Sequence, residues 1–164
     1  MTLMLQRVAP LALALGVVLG CESKTSSMLV SGGDGSMLYS CDSDTRAPKQ
    51  MDGLTETSAK GTFVATVMSI DPAMTVKGTN SWTVQIADMT GAPVDGLAMN
   101  IVPFMPDHQH GTSIAPVATG QGGGVYSITP LYLYMEGYWT VTITLQPMSG
   151  SGTTDTVIIP ACVP

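Results

Sequence analysis

The chain has 164 residues, a net charge of −6 at pH 7, 11% charged side chains and only 5% aromatic ones. That length holds one domain, and an acidic chain with no basic patch excludes a nucleic-acid partner, because nothing in it would neutralise phosphates. Few charges, 18 glycines, 11 prolines and many β-branched residues point to an exported all-β domain rather than a helical one.

Residues 1–20 read as an export signal. Arg7 charges a short n-region, and Val8 to Gly20 is an apolar run of thirteen. A membrane-spanning helix needs roughly 20 apolar residues, so this run fits a signal h-region instead. It ends in Val18-Leu19-Gly20-Cys21, which resembles the lipobox of bacterial lipoproteins. The resemblance implies cleavage before Cys21, acylation of Cys21, and a lipid bilayer as partner through that residue. Each buried methylene contributes about 0.8 kcal/mol, so several acyl chains make a firm anchor. The alternative is an ordinary secretory signal in which Cys21 is incidental. Losing residues 1–20 removes Arg7 alone among the charged side chains, which makes the remainder still more acidic. Anionic headgroups would not attract it; the lipid alone would hold it in the cell envelope, facing the periplasm or exposed at the surface. Glu22 after an acylated Cys21 favours the outer membrane over the inner.

Residues 21–60 have the composition of a flexible tether, with Ser31-Gly32-Gly33-Asp34-Gly35-Ser36 its most flexible part and no sustained apolar period. Met28-Leu29-Val30 and Met37-Leu38-Tyr39 are apolar islands in it. If Cys21 is lipidated, Cys41 and Cys162 remain, and in an oxidising compartment two such cysteines are expected to pair. The alternative is two free thiols. A bridge would strap the C-terminal part of the tether, from Cys41 onward, to the last strand.

The folded domain is expected over 61–164. Thr62 to Ile70 alternates and stops at Asp71-Pro72, and Lys77-Gly78-Thr79-Asn80 reads as a turn. Trp82, Val84 and Ile86 form one apolar strand face; Leu97, Met99 and Ile101 form another after the turn Asp88 to Pro93. Ser113 to Thr119 is a weak strand, Gln121 to Gly124 a turn, and Val125 to Thr129 a strand. Trp139, Val141, Ile143 and Leu145 alternate with threonines in the clearest strand, and Asp155 to Ala161 closes the fold with Val157 and Ile159 inward. About seven antiparallel strands without an amphipathic helix predict an immunoglobulin-like β-sandwich, with Trp82 and Trp139 as core anchors. Ile128 stands where antibody domains carry their second cysteine, so the antibody disulfide is absent.

Chemistry concentrates in Pro103-Phe104-Met105-Pro106-Asp107-His108-Gln109-His110-Gly111, which holds both histidines. In an extended segment residues i and i+2 point the same way, so His108 and His110 would both face one metal ion. Met105 reaches that point if the loop folds back at Pro106. Met135, in the turn Tyr134-Met135-Glu136-Gly137, would lie beside it if both turns gather at one end of the sandwich. Imidazoles with thioethers suit copper, since soft sulfur selects Cu(I); Asp107 would add an oxygen ligand or orient an imidazole. Zinc stays open, although a closed zinc site would want more Cys or His. The bland alternative is a solvated histidine loop with Met105 plugging the core, in a chain that has ten methionines beyond residue 20.

Gly78-Thr79-Asn80-Ser81-Trp82-Thr83-Val84, then Asp88-x-x-Gly91-x-Pro93-Val94-x-Gly96, Met105 to Gly111, Gly124-x-Tyr126 and Met135-x-Gly137-x-Trp139 resemble the YtkA-like/FixH-like domain family, over roughly 61–160. The resemblance implies a small exported β-sandwich, often lipid-anchored and linked to copper handling in the envelope. It also implies Met105, His108, His110 and Met135 as the metal ligands and a copper-accepting envelope protein as partner. No Gly-x-Ser-x-Gly elbow, Walker loop or His-Glu-x-x-His is present, and no enzyme is expected. Two functions remain to be weighed: a lipid-anchored copper carrier, and a metal-free binding or structural module of the cell envelope.

Overall fold

Alternation of apolar and polar side chains gives each long strand one face for the interior, and two sheets bury those faces against each other. The computed structural model describes residues 40–150 and 152–164, together with the backbone pairing of Val30–Ser31 with Met37–Leu38. The export signal, Cys21 and most of the tether read ahead of Ser40 lie outside the described residues. In chain order the strands are β1 (Val30–Ser31), β2 (Met37–Leu38), β3 (Thr55–Thr57), β4 (Phe63–Asp71), β5 (Gly78–Asp88) and β6 (Leu97–Met105). Then come β7 (His110–Gly111), β8 (Val117–Gly122), β9 (Val125–Leu133), β10 (Gly137–Pro147) and β11 (Asp155–Val163). One sheet has the order β11-β10-β6-β7 and the other β3-β4-β5-β9-β8, with every pairing antiparallel. No helix occurs among the described residues.

The fold is the expected all-β sandwich. Trp82, Val84 and Ile86 of β5 face Trp139, Val141, Ile143 and Leu145 of β10 across the interior, all fully buried. Val157 and Ile159 of β11 join them, and Leu97 and Ile101 are buried on β6 with Met99 only partly so.

The two sheets hold nine strands where about seven were expected, and the additions are the short β3 and β7. β3 pairs Thr55–Thr57 with Val64–Thr66, so the packed structure begins ahead of Gly61. The turn read at Lys77–Asn80 is already strand from Gly78. Asn80 makes this possible by accepting from the Val76 amide and donating to the Val76 and Gly78 carbonyls, closing the loop with its side chain. β8 starts at Val117 rather than Ser113. β9 runs on through Pro130 to Leu133, because the missing N–H of Pro130 falls where the register with β5 slips between Asn80 and Trp82.

Different parts of the chain close the two ends of the sandwich. At one end Tyr126 donates to the Val94 carbonyl and accepts from the Leu97 amide, fixing the entry to β6. Asp155, at the start of β11, lies at this end with Ser58. At the opposite end β6 finishes, β10 begins and β11 finishes: Thr140 pairs with Phe104 and Gly137 with Val163. There Cys41 and Cys162 form the expected disulfide, across 121 residues of sequence and with their Cα atoms 5.8 Å apart. The bridge ties the segment from Ser40 to Asp52 against this end.

Candidate metal centre at the histidine hairpin

The stretch Pro103–Gly111 is a hairpin, not an extended loop. β6 continues through Met105, residues 106–109 turn, and β7 returns with His110 opposite Met105 and Gly111 opposite Phe104. Gln109 takes φ 57° in the turn and donates through its amide to the Pro106 carbonyl, while the His108 amide donates to the Met105 carbonyl. His108 and His110 therefore do not share one face of an extended strand, because the backbone between them turns. The turn still leaves the two rings as neighbours, with centroids 5.7 Å apart and planes inclined by 58°.

The two histidines have different surroundings. His108 is exposed on the turn. His110 is packed into an aromatic wall: Tyr134 stacks on it at 5.2 Å and Trp139 meets it edge-on at 5.8 Å. Tyr132 continues the stack beyond Tyr134 at 6.2 Å. The Tyr134 hydroxyl lies 2.9 Å from His110 Nδ1, and the Gly111 carbonyl is 3.3 Å from the same nitrogen. Nε2 of His110 is buried without a hydrogen-bond partner. A buried polar atom left in this way costs about 1–3 kcal/mol unless something absent from the bare chain satisfies it.

The two methionines come from the end of β6, at the base of the hairpin, and from the Tyr134–Gly137 turn. Met105 is buried beneath the hairpin, and its terminal methyl occupies the space a Cβ on Gly137 would need. Gly137, at φ 128°, is thus a glycine for two reasons. Met135 is partly buried against the core, and its carbonyl accepts from Trp139 Nε1 at 2.9 Å. The histidine hairpin and the Tyr134–Gly137 turn are in contact through Tyr134 on His110 and Met105 on Gly137.

Asp107 is committed elsewhere. Its two oxygens accept from Arg46 Nη1 and Nη2, each at 2.7 Å, and these bonds hold its carboxyl below the usual carboxylate range despite partial burial. Sequence reasoning offered Asp107 as an oxygen ligand or imidazole partner and gave Arg46 no part; nothing in the spacing of two residues 61 positions apart links them.

A family model described as YtkA-like matches residues 55–144, more than half of the chain. The protein belongs to the YtkA-like family. No curated protein and no solved structure matches it. The YtkA-like match takes in β3 through most of β10, the histidine hairpin and the Tyr134–Gly137 turn. Arg46, both bridged cysteines and β11 fall outside it.

Among the described residues no group of three or more His, Cys, Asp or Glu is arranged to hold a metal ion. Beside the two imidazoles, the hairpin and the Tyr134–Gly137 turn supply the Met105 and Met135 thioethers as soft donors at this YtkA-like site, while Asp107 is bound to Arg46. Zinc, which favours Cys, His and carboxylate, is poorly served by that donor set; Cu(I) is well served. The buried Nε2 of His110 fits such an ion, since its opposite ring nitrogen is already held by Tyr134 and Gly111, the arrangement that orients metal-binding imidazoles.

Proposed function

We propose that this protein carries copper, as Cu(I), at the hairpin end of the sandwich, with His108, His110, Met105 and Met135 as the donors. The observation that carries the reading is the buried, unpartnered Nε2 of His110 beside a Tyr134-anchored Nδ1. Copper here is cargo, and soft sulfur donors beside imidazole would hold it in the reduced state. Tyr134 and the Gly111 carbonyl fix the ring of His110, and the aromatic wall of Tyr134 and Trp139 excludes water from one side of it. His108, exposed on the turn, is the donor an incoming partner reaches first. In this reading the chain is a lipid-anchored envelope protein held through Cys21, and the partner is a copper-accepting envelope protein.

Titration of the full chain with Cu(I) against a chromophoric chelator, and separately with Cu(II), tests the assignment. The expected result is one equivalent of Cu(I), lost in His108→Ala/His110→Ala. Undiminished Cu(I) binding by that double variant would remove the hairpin as the site.

A second reading, a metal-free binding module, draws on the outer face of the four-stranded sheet. Val102 and Ile158 are both exposed there, on either side of Thr142. It predicts a partner whose capture survives chelation and is lost in Val102→Glu.

A further inference from the structure

Arg46 carries the segment between the disulfide and β3 to the histidine hairpin. Arg46 grips Asp107 with both terminal nitrogens at 2.7 Å. Its Nε donates to Asp44 Oδ1 at 3.0 Å, and Nη2 also reaches Asp44 Oδ2 at 2.7 Å. The guanidinium carbon lies 4.4 Å over the ring of Tyr138, the residue after Gly137 in β10. Five residues upstream the strap is fastened by Cys41–Cys162, and Ala47 next to Arg46 is buried. The hairpin turn of residues 106–109 is thereby held from outside its own sheet, by a planar fork that two carboxylates and an aromatic face keep in one orientation.

We infer that Arg46 is a positioning residue for the histidine hairpin, fixing Asp107 and with it the neighbouring His108 in the arrangement that takes the metal. The metal half of this inference rests on the copper reading above; the positioning half stands on geometry alone. Two features separate it from a decorative surface ion pair. Asp107 is adjacent to His108 in a four-residue turn, so fixing one fixes the other's backbone. The contact is bidentate on Asp107 and shared with Asp44, a geometry that only a guanidinium supplies. Because the pair is partly exposed, with Arg46 and Asp107 side chains 44% and 37% accessible, it contributes little to global stability. Its effect is local order.

The test uses the full chain without metal and then with Cu(I). Amide hydrogen exchange is followed at His108, whose N–H bonds the Met105 carbonyl, and at Val141 and Ile159 in the core as controls. In Arg46→Gln and Asp107→Asn, exchange at His108 should rise about tenfold, with the core amides and the urea midpoint nearly unchanged, and the Cu(I) Kd should rise about tenfold. Arg46→Lys keeps the charge but not the fork, and should fall with Arg46→Gln. Unchanged exchange at His108 in Arg46→Gln overturns the inference, as does faster exchange with an unaltered Cu(I) Kd. If the wild-type chain takes no Cu(I) while the variants still loosen His108, the positioning role stands and the copper reading falls.

Discussion

Ser58 donates to Asp155 at 2.6 Å, joining two residues 97 positions apart at the end of the sandwich far from the histidines. Asp155 also accepts from the amides of Lys60, Thr62 and Thr156, and Ser58 Oγ accepts from Thr62 and Phe63. Burial works against the Asp155 charge, but these donors outweigh it and hold the carboxyl well below its ordinary range. A carboxyl whose folded pKa is depressed contributes its full stability above the unfolded value, near 4, and loses it as pH falls toward the folded value. Unfolding by urea between pH 7 and pH 2 should therefore show stability dropping below about pH 4. Asp155→Asn should be less stable at pH 7 and show a flatter acid limb. An acid limb as steep as that of the wild type would rule Asp155 out as its source. Ser58→Ala should cost about 1–3 kcal/mol at pH 7, since it strips a hydroxyl that serves three bonds, two of them fully buried.

Gly124 sits at φ 72° directly under β5, where a Cβ would collide with the Ile86 carbonyl oxygen and the Val94 nitrogen. Both atoms are engaged, since Ile86 bonds the Gly124 carbonyl through its N–H and Val94 through its own carbonyl. Neither can retreat without breaking a bond. Gly124→Ala should destabilise by about 2–4 kcal/mol, from positive-φ strain plus the clash. A loss under about 0.5 kcal/mol, the ordinary range for surface substitutions, would show that the backbone here gives way freely.

Met105 and Gly137 should behave as one unit. Gly137→Ala forces the Met105 methyl out of its place and should cost about 1–3 kcal/mol. In a Met105→Ala background the obstructing methyl is gone, so the same change should cost less. A double-mutant cycle in urea should return a coupling of about 0.5 kcal/mol or more. Simple additivity would mean that the two turns do not share this contact in solution.

Closing a loop of 121 residues, Cys41–Cys162 should stabilise the domain by up to about 4–5 kcal/mol in the chain-entropy model, with less delivered where the unfolded chain keeps structure. Cys41→Ser/Cys162→Ser, or the reduced chain, should show a lower urea midpoint with the sheets retained by circular dichroism. Reduction should also speed exchange at His108, since it frees the strap that carries Arg46. A midpoint insensitive to reduction would argue that the strap holds by its other contacts alone.

The long strands were legible because each buries one face only, so the period of two is written in the side chains. Trp82-Val84-Ile86 and Trp139-Val141-Ile143-Leu145 are the plainest cases. β3 and β7 were not legible: three and two residues cannot display a period, and Thr-Glu-Thr or His-Gly carries no apolar face. Pro130 hid the second half of β9, since a proline inside a strand reads as its end unless the partner's bulge is known. At the site, composition and spacing singled out the histidines and Met105 as a cluster. Tyr134, which stacks on His110 and bonds its Nδ1, and Arg46 act through contacts 24 and 61 residues away in sequence. The register of the sheets brings in Tyr134, and the segment bridged at Cys41 brings in Arg46.

The bridge at Cys162 also sets a polarity for the molecule. Chain arriving from upstream joins the sandwich at Cys41, on the histidine side, while the Ser58–Asp155 side is left as the distal pole. A pull on the chain ahead of Cys41 would therefore be felt first at the histidine pole, through the bridge, and last at the Ser58–Asp155 pole.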